Sequence, residues 1–291
     1  MLMTDQAQIG HRCDLAIAGL GVRLVCNDPA LAAALRGRYH AFPLHESPLV
    51  SAVITVNGAA RAAPLHDPAL DFYGDVARFS TPTYTGWIDA EAGRADLTLS
   101  SAYLLEDVEY FVRVIYALLA FRAGGLLFHA AGIVRDNRGY LFCGASGSGK
   151  TTVARLSPTD HVLNDDLVIL LPDHERWTAY ATPFWNPTQV QPDGNQHAPV
   201  AALLRLVQSP AVALEPMGAG QALAEVIANV PVLPANPAFG MALLLRGQHL
   251  LRTVPAYRLH FLPDPSFWPL VAGLHSADKA QSGMPQMAKP Q

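Results

Sequence analysis

Residues 144–151 read Gly-Ala-Ser-Gly-Ser-Gly-Lys-Thr, a complete G-x-x-x-x-G-K-[ST] run. No other stretch constrains the fold so strongly. Gripping a triphosphate takes many donors converging from one side, and backbone N–H groups are dense enough to supply them. Gly144, Gly147 and Gly149 let the chain wrap with its amides inward, because glycine tolerates positive φ. Such a loop needs a strand leading in and a helix leading out. Tyr140-Leu-Phe-Cys143 is an apolar, β-prone run, and Thr152-Val-Ala-Arg-Leu156 continues as a short helix stopped by Ser157-Pro158. A helix starting at about Gly149 adds its unpaired amides and the positive end of its dipole. Lys150 then reaches the β- and γ-phosphates, and the Thr151 hydroxyl is placed for Mg²⁺. The nucleotide-binding set is Gly144, Ala145, Ser146, Gly147, Ser148, Gly149, Lys150, Thr151 and Thr152, with ATP and Mg²⁺ as the expected cofactors.

A carboxylate pair follows. Val162-Leu163-Asn164 is short and apolar-leaning, ends in Asp165-Asp166, and Val168-Ile-Leu-Leu171 resumes as a buried-type strand. One acid of such a pair can help hold Mg²⁺, and the other can accept the proton of an attacking hydroxyl. Like charges this close raise one pKa unless a metal screens them. Asn-Asp-Asp also serves as an ordinary solvated turn, but its place beside a phosphate loop favours the chemical role. Asp165 lies only 14 residues after Thr151. Motor, transporter and GTP-switch proteins place their metal-binding acid much farther on. The chain also lacks Asn-Lys-x-Asp, Leu-Ser-Gly-Gly-Gln and the signature set of eukaryotic-type protein kinases.

These residues resemble the HPr serine kinase/phosphorylase family, and more closely its diverged relatives found beside lasso-peptide and other modified-peptide pathways. The matching stretch runs from about Leu126 to Leu171: Leu-Leu-Phe-His129-Ala-Ala-Gly, the loop, then Val-Leu-Asn-Asp165-Asp166. The resemblance implies a mixed α/β fold, with a P-loop kinase domain of the HPr kinase/phosphoenolpyruvate carboxykinase type. It implies Asp165 as general base toward a serine hydroxyl, Asp166 and Thr151 as metal ligands, and His129 at the reacting phosphate beside Lys150; the two aspartates could exchange roles. From the residues alone, His129 reads equally as a core histidine. The glycine-rich second signature of HPr kinases is missing, so HPr itself as substrate and a reverse, dephosphorylating activity do not follow. Ala181-Thr-Pro-Phe-Trp-Asn186 resembles a segment of the diverged relatives; it could line an acceptor pocket, or Phe184 and Trp185 could be core aromatics. The family uses a downstream arginine near the phosphates, for which Arg205, Arg246, Arg252 and Arg258 are candidates.

The expectation is a kinase acting on a serine of a peptide or small protein. A small-metabolite kinase and a non-catalytic ATP-sensing module are the alternatives. Family members often assemble, which raises a homo-oligomer. At 291 residues, 51% hydrophobic and 15% charged, the chain suits a packed protein with one or two cores. Its net charge of −4 and lack of a basic stripe argue against a nucleic-acid partner. Cys13, Cys26 and Cys143 show no metal spacing and read as free thiols of a reducing cytoplasm. No secretory signal is visible, and the most apolar region, Phe111 to Val134, is interrupted by Arg113, Arg122, Gly124, Gly125 and His129, so no membrane span is expected.

Along the chain, residues 1–122 read as a β-rich part closed by a long helix, 123–275 as the phosphate-loop domain, and 276–291 as a disordered tail. Expected strands are Leu15–Ala18, Val22–Cys26, Leu49–Val56 (ended by Asn57-Gly58), a hairpin of Thr83–Ile88 with Ala95–Leu99, Ala201–Gln208, Met241–Leu245 and Tyr257–Phe261. Residues 59–71 read as a loop. Expected helices are Ala30–Arg38, capped by Asn27-Asp28-Pro29, then Tyr103–Arg122 with one apolar stripe and a Glu109–Arg113 pair, Gly220–Asn229, and a last one from Asp264-Pro265 to Leu274.

Overall fold

The computed structural model describes residues 10–61, 69–185, 190–192 and 194–281. The chain builds two sheets around one helix. A hairpin of β1 (His11–Ile17) and β2 (Leu20–Cys26) comes first. Helix α1 (Pro29–Tyr39) follows, with Asp28 accepting from the Leu31 N–H at 2.7 Å as its N-cap. It crosses over to β3 (Val50–Arg61), which pairs parallel to β2. Then come β4 (Ala69–Tyr73), β5 (Val76–Ser80), β6 (Tyr84–Asp89) and β7 (Arg94–Ser101). The strand order is β1-β2-β3-β7-β6-β5-β4.

Helix α2 (Leu104–Arg122) packs β2 and β7 on one side. On its other side lie β8 (Leu126–Arg135) and β11 (Leu167–Asp173) of the second sheet. Phe111, Val112, Val114, Ile115, Tyr116, Ala117, Leu118, Leu119 and Ala120 are all buried. The expected single stripe is therefore corrected: a helix between two sheets has no wet face along most of its length. Tyr116 keeps its hydroxyl satisfied by donating to the Leu20 carbonyl at 3.0 Å.

The second sheet adds β9 (Arg138–Cys143), helix α3 (Lys150–Arg155), β10 (His161–Asn164), β12 (Arg176–Tyr180) and β13 (His197–Gln208). After these come β14 (Ala213–Pro216), α4 (Ala219–Ala228), α5 (Gly240–Thr253), β15 (Ala256–Phe261) and α6 (Trp268–Gln281). The pairings β8–β9, β9–β13, β13–β12, β12–β11 and β11–β8 close on themselves. Strand β8 is the hinge of this arrangement. One edge pairs with β9, and the other pairs with β11 at Leu126–His129 and with β10 at Gly132–Val134. The β10–β11 connection, Asp165-Asp166, is therefore held where β8 changes partner.

Several expectations are corrected. Met241–Leu245 is helical, inside α5; Leu243, Gly247 and Leu250 are its buried residues, at a helical spacing that a five-residue apolar run does not reveal. Strand β3 runs through Asn57-Gly58, and its pairing with β7 slips between Val56 and Arg61. Of the expected loop at 59–71, residues 59–61 belong to β3 and 69–71 to β4, while 62–68 lie outside the described residues. Helix α6 continues to Gln281; the rest of the expected tail, 282–291, is also outside them. No helix among the described residues is long and apolar enough to cross a membrane.

Candidate functional site

The loop leaves β9 at Cys143 and enters α3 at Lys150. Gly144, Gly147 and Gly149 all have positive φ, at 146°, 77° and 112°. A Cβ on Gly149 would stand 2.5 Å from Cζ of Phe261, so the loop is pressed against β15 and only glycine fits. The Gln208 side-chain amide donates to the Gly147 carbonyl at 2.9 Å, tying the loop to the end of β13.

Ser146, Gly147, Gly149, Lys150, Thr151 and Thr152 line a cleft of about 350 Å³ together with His129, Asp165 and Asp166. The structure thus brings nine of the residues singled out from the sequence to one opening. Gly144 and Ala145 lie behind it and offer their carbonyls to Lys150 Nζ, at 2.8 and 3.4 Å. Ser148 sits in the turn, its Oγ buried without a partner. Burial pulls the Lys150 pKa below the ordinary lysine value, with Asp166, Cys143 and Asp165 opposing the shift.

The two aspartates differ. Asp166 Oδ1 lies 2.7 Å from His129 Nε2, and His129 opens to the cleft rather than to the core. Burial works to raise the Asp166 carboxyl, yet the His129 hydrogen bond and charge, with Arg113 and Lys150, outweigh it and hold the group below its usual value. Asp165 is 1% exposed, and neither of its oxygens meets a donor in good hydrogen-bond geometry. Burial pushes its carboxyl above the usual value, against smaller opposing influences from the Thr151 hydroxyl and the Val190 amide.

Asn164 arranges the pair. It is fully buried, and its Oδ1 accepts from the N–H groups of Asp166 and Leu167 at 2.7 and 2.9 Å. Its Nδ2 donates to the Thr182 and Phe184 carbonyls, both at 3.1 Å. Thr182 returns a bond from Oγ1 to the Leu167 carbonyl at 2.6 Å. In the sequence Asn164 reads only as a turn residue; its one usable signal is a side chain able to mimic a backbone turn just before the acids. Phe184 is a core residue, with its ring 6.0 Å from that of Tyr116. Trp185 is half-buried under the Arg38 guanidinium, and Asn186 lies outside the described residues.

The four arginines part ways. Arg205 stands beside Cys143, one residue before the loop, and pairs with Glu225 at 2.5 Å. Arg258 is its register neighbour on β15. Arg246 is spent on the end of α2, donating to the Phe121 and Gly125 carbonyls at 2.6 and 3.2 Å. Arg252 is exposed on the last turn of α5.

Among the described residues no three His, Cys, Asp or Glu side chains converge on a metal position. The cleft instead offers the hydroxyls of Ser146, Thr151 and Thr152 and two carboxylates. This set fits Mg²⁺, which keeps waters and phosphate oxygens and takes one or two carboxylates from protein.

Fold and cleft together define a mixed α/β protein whose glycine-rich loop faces an acid pair across one opening. A family model described as "SynChlorMet cassette protein ScmC" matches residues 98–272, and the chain belongs to that family. Among solved structures, the Hpr(Ser) kinase/phosphatase from Coxiella burnetii is matched at 15% identity over 54% of this chain and 99% of that chain, with a TM-score of 0.29. No curated protein matches the chain.

Proposed function

We propose that this protein is an ATP- and Mg²⁺-dependent phosphotransferase that moves the γ-phosphate to a serine hydroxyl of a peptide or small protein. The observation that carries the reading is the single cleft shared by the loop, Lys150, Thr151, His129 and both aspartates. The loop amides hold the phosphates, and Lys150 turns from the Gly144 carbonyl to the transferring group. Thr151 and Asp166 would hold Mg²⁺, which supplies charge neutralisation at the transferring phosphoryl. Asp166 suits this role because its neighbours keep it ionised. Asp165 accepts the serine proton. Burial makes its carboxylate more basic than an ordinary one, and no donor holds it in good geometry, which leaves it free to take a proton. His129 orients Asp166 and borders the reacting phosphate. The serine acceptor rests on the likeness of the loop and acid pair to HPr-kinase-type sequences.

The test is transfer of label from γ-labelled ATP with Mg²⁺ to a panel of serine-containing peptides, with free serine and sugars in parallel. Label on a peptide serine is the expected result. Label only on a metabolite would reassign the acceptor class, and tight ATP binding without transfer to either would reduce the protein to a nucleotide sensor.

A further inference from the structure

The segment that carries Asn164's partners, Thr182 to Trp185, belongs to no strand or helix. Side chains hold it in place. On one side is Asn164, through the Thr182 and Phe184 carbonyls. On the other is a buried charge cluster supplied by the N-terminal half of the chain. Glu109 of α2 is 8% exposed and receives Arg38 of α1 at 2.6 Å and Arg113 of α2 at 2.5 Å. Arg38 also donates to the Trp185 carbonyl and lays its guanidinium 4.6 Å over the Trp185 ring. The Arg113 guanidinium lies 5.6 Å from the Phe184 ring. A continuous set of contacts therefore runs from α1 through Glu109 and residues 184–185 to Asn164, and from there to the Asp166 amide.

Two arginines around one glutamate are a poor choice for stability alone. Apolar residues of the same volume usually serve a core as well or better, and ion triads earn retention where one geometry must be fixed. Here the Nε atoms of both arginines are buried without partners, so the cluster is not optimised as glue. What it does fix is the backbone at Trp185, next to the carbonyl that holds Asn164.

We propose that Arg38 and Glu109 are positioning residues for the Asp165–Asp166 turn, linking the N-terminal half of the chain to the acid pair through Trp185, Phe184 and Asn164. The catalytic consequence rests on the function proposed above; the structural one does not.

Native-state amide exchange on the full chain separates the two. In Arg38→Met, the Asp166 and Leu167 amides should exchange about tenfold faster while central strand amides of β7 and β13 keep their rates. Arg38→Lys, which keeps the charge toward Glu109, should recover part of the protection. Transfer should slow in step with turn exchange, through kcat, with ATP affinity unchanged. Uniform acceleration of all amides would mark a mere stability residue and overturn the proposal, as would an unchanged turn, or a loosened turn with unaltered kcat. A loosened turn in a protein whose parent transfers phosphate to nothing would uphold the positioning link and overturn the kinase reading instead.

Discussion

The 2.7 Å contact between His129 Nε2 and Asp166 Oδ1 separates Asp166 from its neighbour Asp165, which has no such partner and is governed by its burial. Asp166 is held below the ordinary carboxylate range and Asp165 above it. Environments that push neighbouring acids apart are how one site obtains both a permanent anion and a group able to carry a proton.

Asp165→Asn should make the protein more stable and inactive. The native carboxylate is buried, neither oxygen meets a donor in good hydrogen-bond geometry, and its folded pKa is raised by that burial. A raised folded pKa favours folding fully below the unfolded value near 3.8, and that contribution is lost as pH rises through the folded value. At pH 7 the variant should therefore gain about 1 kcal/mol, because it removes a buried negative charge while keeping the polar group. Urea melts should show this gain shrinking toward pH 3.5, and transfer should vanish while ATP binding persists.

His129→Ala should act with the opposite pH sign. Asp166 has a depressed folded pKa, with the histidine as its principal counterweight to burial. The stability this provides is present above the unfolded pKa and is lost as pH falls through the folded one. Removing the imidazole should cost about 1–2 kcal/mol at pH 6 to 7, with the difference from the parent closing in acid. Chemical denaturation at several pH values measures it. An equal loss at every pH would separate His129 from the Asp166 charge.

The loop and acid pair were legible because their chemistry is local: glycines at fixed offsets, then two acids at a strand end. The hairpin at 84–101 and the capped α1 were readable for the same reason. Local pattern did not reveal what is settled by distant partners. Asn164 looks like any turn residue until Thr182 and Phe184 arrive from a later loop. The run Met241–Leu245 has no alternation and is too short to show its helical period. Helix α2 reads as amphipathic until a second sheet covers its other face. Strands β4 and β5 are short, and their solvent-facing residues, such as Asp71 and Arg78, blur the apolar pattern.

Asn164→Ala should cost about 3 kcal/mol, because it strands two amide N–H groups and two carbonyls inside the protein. Asn164→Asp restores the acceptor but not the donor, and should recover only part. Thermal unfolding ranks the three. If alanine costs no more than a surface substitution, the turn is held by other contacts.

Gly149→Ala and Gly147→Ala should differ although both glycines have positive φ. At Gly147 the added methyl meets nothing within 4 Å, so only backbone strain of about 1 kcal/mol is added. At Gly149 the methyl also runs into the Phe261 ring. Nucleotide affinity measured by calorimetry should fall only modestly in the first and by at least about tenfold in the second. Phe261→Ala should partly rescue Gly149→Ala, since it removes the obstructing ring.

Arg246 and Arg205 should separate stability from phosphate binding. Arg246 donates to two carbonyls at the end of α2 and stacks 4.0 Å from the Phe121 ring centre. Arg246→Ala removes both bonds and the ring contact, while the Phe121 carbonyl keeps the Gly124 N–H at 3.1 Å, and should cost about 1–2 kcal/mol, with ATP affinity unchanged once the protein is folded. Arg205 stands beside Cys143 at the mouth of the loop and is held by Glu225. A partly exposed pair of this kind contributes about 0–1 kcal/mol to stability, so Arg205→Ala should barely move the melting point. It should instead weaken ATP more than ADP, because a guanidinium freed from Glu225 is useful only where the terminal phosphate adds charge. Equal loss for both nucleotides would place Arg205 at the inner phosphates, and no loss for either would leave it a purely structural partner of Glu225.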